Sequence, residues 1–119
     1  MATIFTQAGE ELVADILDAS VAQPTWYVGW GTGAGTAAKG DTTLFTEATE
    51  TRIAATMSQP SADINQAVAT ITADGTKTIT NAGILTAVTT GTLLVHGDHT
   101  GVGVVLNDSI QYTIQITWT

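Results

Sequence analysis

From Ile110 onward the chain alternates without a break. Ile110, Tyr112, Ile114, Ile116 and Trp118 fall on one side, and Gln111, Thr113, Gln115 and Thr117 on the other. Successive side chains of a strand point to opposite faces, so this run predicts a half-buried β-strand. Ala67–Thr72 shows the same period, and shorter extended segments are predicted at Trp26–Trp30, Arg52–Met57, Lys77–Asn81, Ala82–Thr86, Leu93–Gly97 and Val102–Leu106. Gln59-Pro60-Ser61, Thr89-Thr-Gly91 and Asn107-Asp108 punctuate them, and Asp74-Gly75 is the strongest hairpin signal. Helical periodicity occurs once, in Ala8–Ser20, where Leu12, Val13, Ile16 and Leu17 share a face. Thr6 is placed to cap this helix, Glu10 and Glu11 suit its first turn, and Pro24 prevents its continuation. A helix of about three turns is marginal alone in water, so it must dock on its own domain or on a neighbouring subunit.

Seven or eight short strands at intervals of about ten residues predict a mainly β fold. The expected architecture is an antiparallel β-sandwich, jelly-roll-like, with one N-terminal α-helix. A length of 119 residues suits one such domain. The change of texture at Pro24 divides it into a helical arm over residues 1–22 and a sandwich over 23–119. A doubly wound parallel sheet is excluded, because no helices separate the strands after Pro24.

Composition sharpens this picture. Charged residues make up only 12% of the chain, about half the usual ~25%, and threonine occupies about one position in five. Threonine keeps a strand's solvent face polar without charge, which suits flat neutral faces that meet neighbours. The net charge is −8, with Lys39, Arg52 and Lys77 the only Lys or Arg. Three scattered cations make no phosphate-binding patch and no anchor for an anionic membrane, so neither nucleic acid nor membrane is an expected partner. The absence of cysteine excludes disulfide scaffolds and thiol chemistry. The first residues lack a signal-peptide pattern and no apolar run approaches the ~20 residues of a membrane span, so synthesis in a cytoplasm is expected.

The candidate chemistry is thin. Gly29-Trp-Gly-Thr-Gly-Ala-Gly35 spaces glycine at every second position, unlike either phosphate-binding fingerprint, and reads as a mobile or interface-ordered loop continuing to Gly40. His96-Gly-Asp-His99 is the one cluster of potential metal ligands. Zinc needs three or four protein ligands, so these histidines read as a pair at a loop edge. Ser58 or Ser109 can be paired with them on paper, but no nucleophile elbow exists, and Glu10/Glu11 and Glu47/Glu50 read as solvated carboxylates. No catalytic residue, metal site or cofactor is therefore assigned, and an enzyme is not expected. Trp26, Trp30 and Trp118 suit a core or a subunit seam, and less readily a sugar-binding groove.

Taken together, several motifs resemble small bacteriophage virion structural proteins. Trp26-Tyr-Val-Gly-Trp-Gly-Thr-Gly33 followed by Asp41-Thr-Thr-Leu44 is similar to an N-terminal signature of such proteins. Ile79-Thr-Asn-Ala-Gly-Ile-Leu-Thr86 and the closing strand that follows Asn107-Asp-Ser109 match further segments, so the resemblance covers most of the chain after residue 25. It is strongest to capsid cement, or decoration, proteins. It implies a homotrimer on the capsid surface that clamps neighbouring copies of the major capsid protein. A tail or tail-fibre-associated structural protein is the alternative, and a carbohydrate-binding module with exposed Trp26 and Trp30 is the second. The expected interface comprises Phe5, Leu12, Val13, Ile16, Leu17, Trp26, Trp30 and Phe45.

Overall fold

The alternation that ends the sequence becomes strand β8 (Ser109–Thr117), with Ile110, Tyr112, Ile114 and Ile116 packed against the core and the intervening residues exposed. The structure is a computed structural model that describes residues 3–119. Before β8 come β1 (Thr3–Phe5), α1 (Gln7–Leu17), β2 (Tyr27–Gly31), β3 (Ile53–Ala54), β4 (Thr56–Ser61), β5 (Ile64–Thr72), β6 (Lys77–Leu85) and β7 (Leu93–Val104). They form a five-stranded sheet in the order β1-β7-β6-β2-β3 and a three-stranded sheet in the order β4-β5-β8, antiparallel throughout. The core lies between them. Val28, Trp30, Ile79, Ile84 and Val95 enter it from the large sheet, and Ala67, Ala69 and Ile71 from the small one. The protein is thus the mainly β, antiparallel, single-helix sandwich that the periodicity predicts.

The jelly-roll character resides in the last four strands. In the small sheet β5 pairs with β8, from Ile64 opposite Thr117 to Thr72 opposite Ser109. In the large sheet β6 pairs with β7, starting with Lys77 opposite Val104 and Ile79 opposite Val102. From Ile64 opposite Thr117 to Ile79 opposite Val102, every residue advanced on one side is matched by one retreated on the other, with none gained or lost between the two ladders. One antiparallel ribbon therefore folds from sheet to sheet at residues 73–76 and 105–108. Ala73 holds the corner: its N–H donates to Asp108 (2.7 Å) and its carbonyl accepts from Asn107 (2.9 Å).

This corner overturns the hairpin expected at Asp74-Gly75. A two-residue hairpin of the common type needs positive φ there, and neither residue has it. The true hairpin joins β6 to β7 through Thr90 (φ 54°) and Gly91 (φ 76°). Four expected short strands also merge into two long ones, because the β6–β7 pairing carries through Asn81 and Gly83 on one strand and Gly97, Gly101 and Gly103 on the other. Conversely, Arg52–Met57 splits between the sheets, as β3 and the start of β4, and β4 runs on through Pro60. Strand β1 is too short to show a period and was not anticipated.

The helix docks on its own domain. Thr6 caps it, its Oγ1 accepting from the Gly9 N–H (2.9 Å) and donating to the Leu93 carbonyl (2.5 Å). The Thr6 N–H also donates to the Leu94 carbonyl (3.0 Å), so the cap is fastened to β7. Gly9 permits the approach, since a Cβ there would lie 2.5 Å from the Leu94 oxygen. Residues 1–22, set apart as an arm by the sequence, thus supply the large sheet's edge strand β1 and a helix packed on its core. Met1 and Ala2 lie outside the described residues.

Candidate functional site

The alternate glycines of the Gly29–Gly35 stretch have a structural cause. Val28 and Trp30 point into the core, so Gly29 and Gly31 lie on the opposite, outer face of β2. Residues 32–51 fold back across that face. A Cβ on Gly31 would lie 2.3 Å from the Phe45 carbonyl oxygen, and one on Gly33 2.7 Å from Thr46 Oγ1. Leu44 fills the space beside Gly29 and Gly83 and forms a small second core with Leu85 and Leu93. The expected mobile or interface-ordered loop is instead a cover seated on a glycine-floored sheet.

Asn81, fully buried on β6, fastens the cover. Its Oδ1 accepts from the Phe45 N–H (3.0 Å) and its Nδ2 donates to the Phe45 carbonyl (3.0 Å), as a neighbouring strand would. Its Oδ1 also faces His96 Nε2 (3.0 Å), while His96 Nδ1 meets Asp41 Oδ2 (2.7 Å). Both ring nitrogens are thus engaged by side-chain oxygens, one from β6 and one from the cover. The Phe45 ring stands edge-on to His96, centroids 4.5 Å apart, and Asp98 accepts from the Ala37 N–H (2.8 Å). The expected loop-edge histidine pair is corrected: both lie on β7 and point apart. His96 is wholly buried under the cover, and His99 meets the Tyr112 hydroxyl on the other side (2.9 Å).

The three cations are all engaged within the fold. Buried Arg52 grips Glu47 with Nε and Nη2 (both 2.7 Å) and donates from Nη1 to the Ala87 and Thr90 carbonyls (both 2.7 Å), tying the cover to the β6–β7 hairpin. Lys77 joins Glu50 (2.5 Å) and Asp74 (2.7 Å), and Lys39 pairs with Glu10 on α1. Burial alone would raise the Glu50 carboxyl. Hydrogen bonds from Lys77, the Asp74 N–H and Trp30 Nε1 (2.8 Å) outweigh it and hold Glu50 below its ordinary value. Asp74 is lowered chiefly by Lys77 and then by Thr49, and the two carboxylates raise Lys77 in turn. No role in the fold was expected of Asn81, Asp41, Arg52 or Lys77 from the sequence. The one available signal was glycine at period two, the spacing of a single strand face.

Of the eight residues expected at an interface, the structure gathers most around α1. Phe5, Leu12, Val13 and Ile16 are half-buried against the core, and Leu17 is 83% exposed. Phe5, Val13, Ile16, Leu17 and Trp26 share a shallow apolar groove with Trp118, whose ring meets Phe5 edge-on at 5.7 Å. Phe45 lies apart, within the cover itself. Trp26 and Trp30 are 8% and 1% exposed, so the stacking platform required of a carbohydrate-binding module is absent at these two rings.

A second surface was not anticipated. The outer face of the small sheet carries Thr56, Ser58, Gln66, Val68, Thr70, Thr72, Gln111, Thr113, Gln115 and Thr117, and its three strands contain no charged residue. Gln115 Nε2 donates to Gln66 Oε1 across the ladder (2.7 Å). Beside β8 the sandwich is open, with a groove of about 330 Å³ lined by Ala82, Val95, His99, Tyr112 and Ile114 among others. Burial in its wall pushes the Tyr112 hydroxyl up to about 12.

The family model described as Podophage GP4 fiber I protein gp80 matches residues 5–116, nearly the whole chain. The chain belongs to this family. No curated protein matches it. Membership in a podophage fibre family makes the protein a bacteriophage structural protein, as the motif resemblance implied. It does not carry the narrower expectation of a capsid cement protein, and favours the tail-fibre alternative instead. The match spans β1's last residue through β8, so cover, helix and both sheets all belong to the family's domain.

Proposed function

We propose that the protein is a fibre- or tail-associated structural component of a phage particle, acting by binding neighbouring virion proteins and catalysing nothing. The family match over residues 5–116 carries this reading. The disposition of polar groups supports it. The groups that could do chemistry, buried His96 and Arg52 and half-buried Asp41, are spent on holding residues 32–51 to the sheet. What the surface offers is exposed apolar side chains, Leu17, Val21, Met57 and Trp118 around the helix, and an uncharged sheet face. Surfaces of this kind serve contact.

The test is co-sedimentation of the purified chain with phage particles produced without it, and separately with isolated heads and isolated tails. Binding to whole particles and tails is the expected result. Binding to heads alone would favour the capsid-cement reading, and failure to bind any of the three would refute the proposal.

A further inference from the structure

We propose that β8 is an interface strand that pairs antiparallel with β8 of a second copy about a two-fold axis at Thr113, joining the small sheets of two chains into one of six strands. Among the described residues the other sheet edges are guarded. β1 and β3 have three and two residues, and β4 contains Pro60 and a register shift between Ser58 and Ser61. The stretch of β7 beyond β1 contains Asp98, Gly101 and Gly103. β8 has nine residues, regular pairing along its whole length, and no proline, glycine or charge. Such an edge is a template for another strand, and proteins that do not use one blunt it.

The backbone faces the right way. Trp118 N–H donates to the Asp63 carbonyl and Ala73 N–H to the Asp108 carbonyl, one at each end of the β5–β8 ladder. Hydrogen-bonded and non-bonded positions alternate along an antiparallel pair, so even-numbered residues of β8 bond to β5. Gln111, Thr113, Gln115 and Thr117 then turn their N–H and C=O groups to the open edge.

The sequence of β8 names the occupant. Read outward from Thr113, it nearly mirrors itself: Tyr112 matches Ile114, Gln111 matches Gln115, Ile110 matches Ile116 and Ser109 matches Thr117. With the axis at Thr113, every open-edge residue meets an open-edge residue of the other copy, giving about ten inter-chain hydrogen bonds. Gln111 of one copy would stand opposite Gln115 of the other, extending the row that Gln115 and Gln66 already begin. Apolar residues meet on the inner side, where Tyr112 and Ile114 now line an open groove. Charge opposes a like partner least at this face. Two chains of net charge −8 repel, and the small sheet, with no charged residue in its strands, is where they approach at least cost.

This inference goes beyond the fibre reading and is tested on the full chain alone, by light scattering across a concentration series. The expected mass is twice 12.3 kDa. Thr113→Lys, on an exposed side chain, places two like charges opposite each other and should give the mass of one chain that still unfolds in one cooperative transition. Mixing it with Thr113→Glu should restore the dimer. Because the chain has no cysteine, register is read directly: Thr113→Cys should form an inter-chain disulfide on mild oxidation, and Gln115→Cys alone should not. A wild-type mass of one or three chains, a dimer that survives Thr113→Lys, or cross-linking through Gln115→Cys in place of Thr113→Cys would overturn the proposal.

Discussion

Replacing Asn81 with Ala tests whether residues 32–51 are a fastened cover. The substitution removes an amide with no solvent exposure. Two groups lose their hydrogen-bond partner: the Phe45 N–H and His96 Nε2. The Phe45 carbonyl keeps the Gly33 N–H at 2.9 Å. Leaving a buried polar group unpaired costs about 1–3 kcal/mol, so two of them, partly rehydrated in the space vacated, cost roughly 3 kcal/mol. That is a large share of the 5–15 kcal/mol typical of a domain. Unfolding entropy of about 2.1 cal/mol/K per residue comes to roughly 0.25 kcal/mol per kelvin at this length, so Tm should fall by about 12 °C. Calorimetry or a circular-dichroism melt reads this directly. Adding His96→Phe removes the orphaned ring nitrogen, so Asn81→Ala should cost about 1 kcal/mol less in that background. A fall in Tm below about 4 °C, or identical costs in both backgrounds, would refute the fastening.

Gly31→Ala should destabilise by roughly 2–3 kcal/mol, because its Cβ would lie 2.3 Å from the Phe45 oxygen, whereas Gly40→Ala, with open space around it, should leave Tm nearly unchanged. Equal effects of the two in a thermal melt would contradict the glycine-floored sheet. Glu50 and Asp74 are held below their ordinary values of 4.5 and 3.8, so their contribution is present above those values and is lost as pH falls through the lower, folded-state ones. Glu50→Gln should lower Tm at pH 7 and flatten the acid limb of Tm against pH, and an unaltered limb would show that the Lys77 cluster does not contribute. Tyr112 runs the other way. With its hydroxyl raised from 10 to about 12, stability should fall as pH climbs from 10 to 12, and Tyr112→Phe should remove that slope. Phenolate absorbance that titrates near 10 in the folded protein would rule this out.

How far the sequence revealed this fold depends on which interactions decide each element. β8 and α1 were legible because each is amphipathic over its whole length and one face is buried. The corner at Asp74-Gly75 was misread as a hairpin because turn chemistry is local, whereas the partner of β5 is set by the long ladder with β8 some forty residues away. Long β6 and β7 were broken into pieces for a related reason. Their outer faces are covered, so Asn81, Gly83, His96 and Asp98 replace the polar alternation of a solvated face. The cover itself was invisible, since Asn81 acting as a surrogate strand has no sequence pattern. Glycines at 29, 31 and 33 did carry the period of a strand face, yet nothing in the sequence tells close backbone approach from flexibility. The broader class, a bacteriophage structural protein, was by contrast legible through segments around Trp26–Gly33 and Ile79–Thr86, which lie largely in β2 and β6, adjacent strands of the large sheet, whereas the fibre family was given only as the alternative.

The central claim is that this chain works as a fibre-associated part of the particle, and localisation on intact virions tests it most directly. Gold-labelled antibody raised against the purified chain should decorate the tail or its fibres when particles are imaged by electron microscopy. Gold spread over the head shell, or particles that carry none of the protein, would contradict the account.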